Sequence, residues 1–191
     1  DVYDVYEAAQ TLQRFVESLS NWYVRRSRGR FWSPEGASDS GAVSDKLDAY
    51  FTLYECLGMT TKLLAPFCPF MAEEMYQNLF RQPWPTSEAE SVHLVRWPLA
   101  DPTLVDRNLA DTMAAAREIV RQGLAARASC KLKVRQPLRE VKVILAEPDK
   151  APRDLTSVIQ DELNVKQVDF EGKVDDYVSF DVKLNFKAVG S

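Results

Sequence analysis

From Val2 onward, apolar residues recur at Val5, Ala9, Leu12, Val16, Leu19 and Tyr23 in steps of three and four, the seam of a helix that packs along other helices. No Gly or Pro interrupts this pattern before Gly29 and Pro34, so the first helix is predicted from Asp1 to Arg26 or beyond. Ser33 to Ser44 gathers Ser, Gly, Pro and Asp and marks a mobile connection. Ser44 can then cap a second helix with Asp45 and Asp48 in its first turn. Leu47, Tyr50, Tyr54, Leu57, Thr61 and Leu64 form that helix's apolar face, and Pro66 ends it. A third helix starts at Pro69, a residue suited to a first helical position. A loop from Gln82 to Pro102 carries Trp84, Trp97 and three prolines before Pro102, and seals the side of the bundle. The fourth helix, Thr103 to Ala128, turns Leu109, Met113, Ala116, Val120 and Leu124 inward and Arg117, Arg121 and Arg127 outward.

After Ser129 the period changes. Val141, Val143 and Leu145 alternate with Lys142 and Ile144; Leu155, Val158, Ile159 and Leu163 indicate a short helix, and Val165 to Phe170 a strand. Val178, Phe180, Val182, Leu184 and Phe186 alternate as strictly as any stretch of the chain. The expected fold is therefore mainly α, an antiparallel helical bundle over residues 1–128 followed by a small α+β unit over 129–191, its strand order left open.

A chain of 191 residues with 46% hydrophobic positions can bury a real core. Its net charge of -4 excludes a uniformly basic coat, so any polyanion site must be local. Cys56, Cys68 and Cys130 are odd in number and widely spaced, as reduced thiols of a cytosolic protein are. The lone His93 has no neighbouring ligand set, so no metal site is assigned. No apolar run reaches the roughly 20 residues that span a bilayer, and no signal peptide is evident. Beginning in helical stride at Asp1 and stopping just after a strand-like segment, the sequence reads as a piece of a longer polypeptide.

Candidate chemistry concentrates in NWYVRRSRGRFW. The apolar rhythm lands on Arg26 and Arg30, with Arg25 and Arg28 on neighbouring faces, so the stripe becomes cationic where it leaves the bundle. Trp22, Tyr23, Phe31 and Trp32 bracket these arginines, offering phosphate forks beside base-stacking planes. The alternative is a solvated helix end whose arginines favour the C-terminal dipole while the aromatics cover the rim. A second basic cluster, KLKVRQPLREVK, holds Lys131, Lys133, Arg135, Arg139 and Lys142 against the single acid Glu140. Lysines on an edge strand also block edge pairing, which is the reading preferred for Lys142. Glu73 and Glu74 point about 100 degrees apart on a helix, which suits dipole stabilisation or solvation better than paired acid-base chemistry. His93 is read as a structural hydrogen-bonding residue. With no nucleophile elbow, phosphate-cradling glycine loop or Ser or Cys beside a plausible His, no catalytic residue is assigned.

NWYVRRSRGRFW after a long helix, LLAPFCPFMAEEMY, SVHLVRWP, KLKVRQPL, DELNVKQVDF and LNFKAVG together resemble the C-terminal region of the isoleucyl-tRNA synthetase family. The APFxPFxxEExY and SVHxxxWP elements are similar to those of the wider class I group, which includes valyl, leucyl and methionyl members; NWYVRRSRxRFW and KVRQPL point to the isoleucine branch. The resemblance implies an anticodon-binding helical bundle joined to a small junction domain, docking the anticodon stem-loop of tRNA(Ile). It implies ATP and Mg only in a catalytic domain of the same polypeptide that is absent here, a cytoplasmic location and a monomer. The family's His-Ile-Gly-His-type and Lys-Met-Ser-Lys-Ser-type signatures have no counterpart, so this piece is expected to be inactive alone. The expected RNA contacts are Arg25, Arg26, Arg28, Arg30, Lys131, Lys133 and Arg135, with Trp32 stacking an unpaired base. Two alternatives stand: a structural module docking on the catalytic domain, and the equivalent region of a valyl-type enzyme.

Overall fold

The opening helix begins where the sequence supplies a cap. Asp4 accepts a hydrogen bond from the Glu7 backbone N–H at 2.9 Å and starts α1 (Val5–Ser18). The computed structural model describes residues 4–32, 40–145 and 147–172. The expected strand from Val178 to Phe186 and most of the Ser33 to Ser44 connection lie outside them.

The seam predicted along α1 is not covered as expected. No residue of α1 is buried; Val5 is 65% and Val16 41% exposed, while Ala9 and Leu12 are half-buried. Local bonds support the helix instead, among them the Arg14–Glu7 ion pair and Gln13 donating to Glu17. Leu19–Val24 continues the helix as a π turn, whose i→i+5 bonds shift the step of three and four. Within the next turn Ser27 is buried and donates its N–H to the Tyr23 carbonyl at 2.9 Å; the one-turn α2 (Arg28–Phe31) comes next.

α3 (Ser40–Leu64) runs back along this segment. Tyr23 donates its hydroxyl to the Ala49 carbonyl at 3.0 Å, and the Phe31 and Tyr50 rings lie 5.0 Å apart. Beginning at Ser40, α3 takes in Ser44, which is therefore not its cap, and Asp45, which turns to Arg30. Its far end closes as Pro66 requires: the Leu64 carbonyl accepts the N–H groups of Phe67 and Cys68 at 2.9 and 2.8 Å. α4 (Pro69–Tyr76) starts on its proline and passes into a second π turn, Gln77–Arg81. Ala65, Ala72, Tyr76, Phe80 and Val92 form the core here, with Tyr54, Leu64, Leu79 and Val95 packed against it. Gly58 permits the approach: a Cβ there would stand 2.8 Å from Phe80 Cζ. The Trp84 ring meets Tyr54 edge-on at 6.0 Å but stays 50% exposed, and Trp97 is 59% exposed, so the tryptophans do not close the side as expected.

Glu73 fastens the loop beyond α4. Its carboxylate accepts from Ser91 Oγ at 2.7 Å, Val92 N–H at 3.0 Å and Gln77 Nε2 at 2.6 Å, a defined structural role in place of dipole stabilisation or solvation. Burial pushes its pKa up, but these three bonds outweigh it and hold the carboxyl below its ordinary value. His93 itself is exposed and donates its backbone N–H to Ser91 Oγ.

The chain divides into two compact units, Asp1–Ala100 and Asp101–Ser191. In the second unit Asp106 caps α5 (Arg107–Ser129) by accepting the Leu109 N–H at 2.9 Å. Helical rhythm alone groups α5 with the helices before it; packing groups it with the α+β part, because α5 lies against the helix Thr156–Leu163 and the turn at Arg153–Leu155 within the second unit. β1 (Leu138–Ile144) and β2 (Val165–Glu171) pair in parallel, Leu138 opposite Val165 and Ile144 opposite Glu171. α6 (Thr156–Leu163) is the crossover that parallel strands need. It buries Ile159 and Leu163, and Gly123 on α5 leaves room for Leu163, whose methyls would lie 2.7 Å from a Cβ. The chain is thus mainly α with a small α+β part, as its periods predict.

Candidate nucleic-acid interface

The π turn and the break at Ser27 distribute the four arginines unequally. Arg25 is exposed; its Nε donates to the Asn21 carbonyl at 2.8 Å and its guanidinium lies 6.0 Å from the Trp22 ring. Half-buried Arg26 lies 5.6 Å from the same ring. Both distances are within cation–π reach, so Trp22 serves as a shelf that holds two cations at the helix surface. Arg28 and Trp32 face solvent, the indole 82% exposed.

Arg30 is engaged from within. Its Nε donates to Asp45 Oδ2 at 2.9 Å, one terminal nitrogen reaches Oδ1 at 2.8 Å, and it also donates to the Asp45 carbonyl at 3.1 Å. The bond to Asp45 raises the Arg30 pKa, with partial burial opposing it. A phosphate here must compete with a bidentate carboxylate, although the pair is partly open to water. Of the four bracketing aromatics, Tyr23 and Phe31 turn to α3 and Trp22 serves the arginines; Trp32 is the one left with an open face.

In the second unit the KLKVRQP stretch leaves α5 through a specific terminus. Leu132 N–H bonds the Arg127 carbonyl at 2.8 Å and Lys131 N–H the Ala128 carbonyl at 3.0 Å, the two bonds of a Schellman motif. Lys131 takes the left-handed position with φ of 57°, where glycine is usual. The turn throws Lys131, Lys133 and Arg135 outward, all exposed. Lys142 pairs with Glu171 across the strands at 3.3 Å, and Arg139 with Glu140 at 3.3 Å, so both are tied to the sheet's own acids.

The loop is held from below by a residue expected on the outer surface. Arg127 is 4% exposed and donates to four backbone carbonyls: Lys133 at 3.2 Å, Gln136 at 3.1 Å, Leu163 at 2.7 Å and Asn164 at 3.2 Å. Leu163 and Asn164 end α6, so the buried charge meets the negative end of that helix without a carboxylate. Asn164, left-handed at φ 48°, donates its side-chain amide to the Val134 carbonyl at 2.9 Å. The signal for Arg127 is present in the sequence: Ala116, Val120, Gly123 and Arg127 follow one line in steps of four, three and four. Arg121, by contrast, faces outward and pairs with Glu118, whose carboxyl it holds down to about 2.

Among the described residues no group of three His, Cys, Asp or Glu is placed to hold a metal ion, and no helix is long and apolar enough to cross a membrane. The geometry suits binding: cations fixed at surfaces by Trp22 and Arg127, and the exposed indole of Trp32 beside the arginines.

The model of the family described as the anticodon-binding domain of tRNA ligase matches residues 1–144. The isoleucine-tRNA ligase of Clostridium acetobutylicum is 42% identical over 190 residues, covering 100% of this chain and 17% of that protein. That of Clostridium novyi is 44% identical over 190 residues, covering the same shares, 100% and 17%. One from Dehalococcoides mccartyi (strain CBDB1) is 46% identical over 168 residues, covering 87% of this chain and 16% of that protein. The chain therefore spans about a sixth of the length of the curated relatives it matches.

Proposed function

The chain belongs to the family of anticodon-binding domains of tRNA ligases, and on that premise we propose that it is the part of an isoleucine-tRNA ligase that grips the anticodon stem-loop of tRNA(Ile). The observation that carries this reading is the exposed pair Arg28 and Trp32 at the end of a helix where Arg25 and Arg26 stand on Trp22. Guanidiniums fix phosphates, and an open indole takes a splayed base, a stack worth about 1 to 3 kcal/mol. Lys131, Lys133 and Arg135 add phosphate contacts from the second unit, and Arg30 contributes once Asp45 yields.

Gripped in this way, the RNA is oriented for ATP-dependent isoleucylation by a catalytic domain of the same polypeptide that lies outside this chain. Binding at a remote site supplies orientation there. In this reading ATP and Mg belong to that domain. The parent is a cytoplasmic monomer in this reading, and the chain alone forms no isoleucyl-adenylate.

Affinity for tRNA(Ile) measured against salt tests the proposal. Replacing Arg25, Arg26 and Arg28 with alanine is expected to lower the salt slope by about 1 for each phosphate no longer neutralised. A flat salt response, or unchanged affinity in the variant, removes the site. The open stripe of α1, with Val5 and Val16 exposed, favours a second reading as a module docking on the catalytic domain. In that case the chain binds the rest of the enzyme and shows no preference for tRNA(Ile) over another tRNA. Preference for a valine anticodon would instead mark the valyl-type relative.

A further inference from the structure

At the C-terminal end of α3, away from the arginines, a hollow of about 170 Å³ opens between the helix and the loop after α4. Lys62, His93, Arg96 and Trp97 line it between Pro66 and Pro98, with no carboxylate among its walls. Neither Lys62 nor Arg96 enters an ion pair among the described residues. Trp97 is 59% exposed. We propose that this hollow is a second RNA-backbone site, seating a phosphate against Lys62, His93 and Arg96 with the adjoining ribose packed on the Trp97 indole. The inference rests on the reading of the chain as an RNA-binding part.

Two features set the hollow apart from a chance gathering of surface cations. The loop is preorganised: Glu73 grips Ser91 and Val92, and Val92, 4% exposed, is a member of the core, so the residues next along are not free to drift. The negative end of α3 is also partly satisfied, because Leu64, one of its terminal carbonyls, accepts two N–H groups at the turn. Acids do stand nearby, but they are committed or turned away. Glu73 spends its oxygens on Ser91, Val92 and Gln77, while Glu55 and Glu88 line a neighbouring hollow that shares Lys62. Arg96 and His93 face only the first of these two hollows.

Distance gives the site its meaning. Asp45, which holds Arg30, and Lys62 lie on the same helix, 17 residues apart, or about 25 Å along its axis. A compact loop gripped at the arginines leaves the far end of this line to the paired stem that rises from it. The hollow therefore reads the stem's backbone while the arginines take the loop, both along α3.

Stem-loop RNAs with one loop sequence and stems of increasing length test this directly. The double variant Lys62→Ala/Arg96→Ala is expected to match the parent chain on the loop with a minimal stem. On the long stem it binds more weakly, with the salt slope reduced by about 1.5 to 2. Trp97→Phe retains the long-stem affinity and Trp97→Ala loses part of it. Variants of Arg25 and Arg28 weaken both RNAs. Equal binding of the long stem by parent and double variant overturns the hollow and leaves the arginine site standing. An equal loss on short and long RNAs also overturns it, since that marks a general charge effect. Failure of the parent chain to bind either RNA overturns both readings.

Discussion

Lys131 holds a left-handed backbone angle, φ 57°, that costs an L-residue roughly 1 to 2 kcal/mol. It sits at the position of the Schellman motif where glycine escapes that cost. Lys131→Gly is therefore expected to raise stability in urea unfolding by about 0.5 to 1 kcal/mol, after glycine's greater unfolded-state freedom is deducted. The same change is expected to weaken tRNA binding, because an exposed cation is removed; opposite signs in the two measurements separate strain from charge. Glu73 is a residue whose role depends on pH. Its folded pKa lies below the ordinary 4.5, so its stabilisation is fully present above that value and is lost as pH falls through the folded pKa. An acid titration of stability should show this loss, and Glu73→Gln should flatten it while costing about 1 to 3 kcal/mol at neutral pH. Neither role is announced by its residue type. A lysine in sequence carries no sign of its φ, and Glu73 is indistinguishable from Glu74 until the Ser91 loop folds over it.

Elements meet in this chain where a small residue or a single polar anchor allows it. Gly58 admits Phe80 against α3, and Phe80→Ala, removing a core ring that is 9% exposed, is expected to cost about 3 to 5 kcal/mol. Arg127 joins the end of α5 to the end of α6 and to the basic loop through its four carbonyl bonds. Arg127→Met keeps much of the volume but leaves those carbonyls without their donors, and should destabilise the second unit by about 3 kcal/mol in urea. Arg127→Lys should rescue little, since an ammonium cannot span a fork of four acceptors. The helices themselves were legible: periods of three and four, Pro66 and Pro69 place most of their ends within a few residues, while the Asp106 cap that starts α5 came only with the structure. What eluded periodicity was the π turn at Leu19–Val24 and the burial of Arg127. The first is a change of hydrogen-bond register that no residue type demands. The second shows that a stripe reports which face is inward without reporting what chemistry the interior tolerates.

Taken whole, the molecule carries a net charge of -4, so a polyanion can be held only where cations gather locally. The salt dependence of tRNA binding should therefore follow those local groups and not the net charge: neutralising the exposed pair Arg14 and Glu7, which lies away from them, is expected to leave the slope unchanged. The sequence by itself determined the helical class, the change of period after Ser129, the family, and the two basic clusters, because each is written in spacing or motif along the chain. Only the tertiary structure decided how the four arginines divide. Two stand on Trp22, one faces water and one answers Asp45, since a guanidinium's availability depends on which carboxylate or ring the fold brings within hydrogen-bond or cation–π reach. The same holds for the stripe of α1, whose rhythm promises burial although no residue of that helix is buried here: periodicity specifies a face, and a face is buried only if another surface is folded against it.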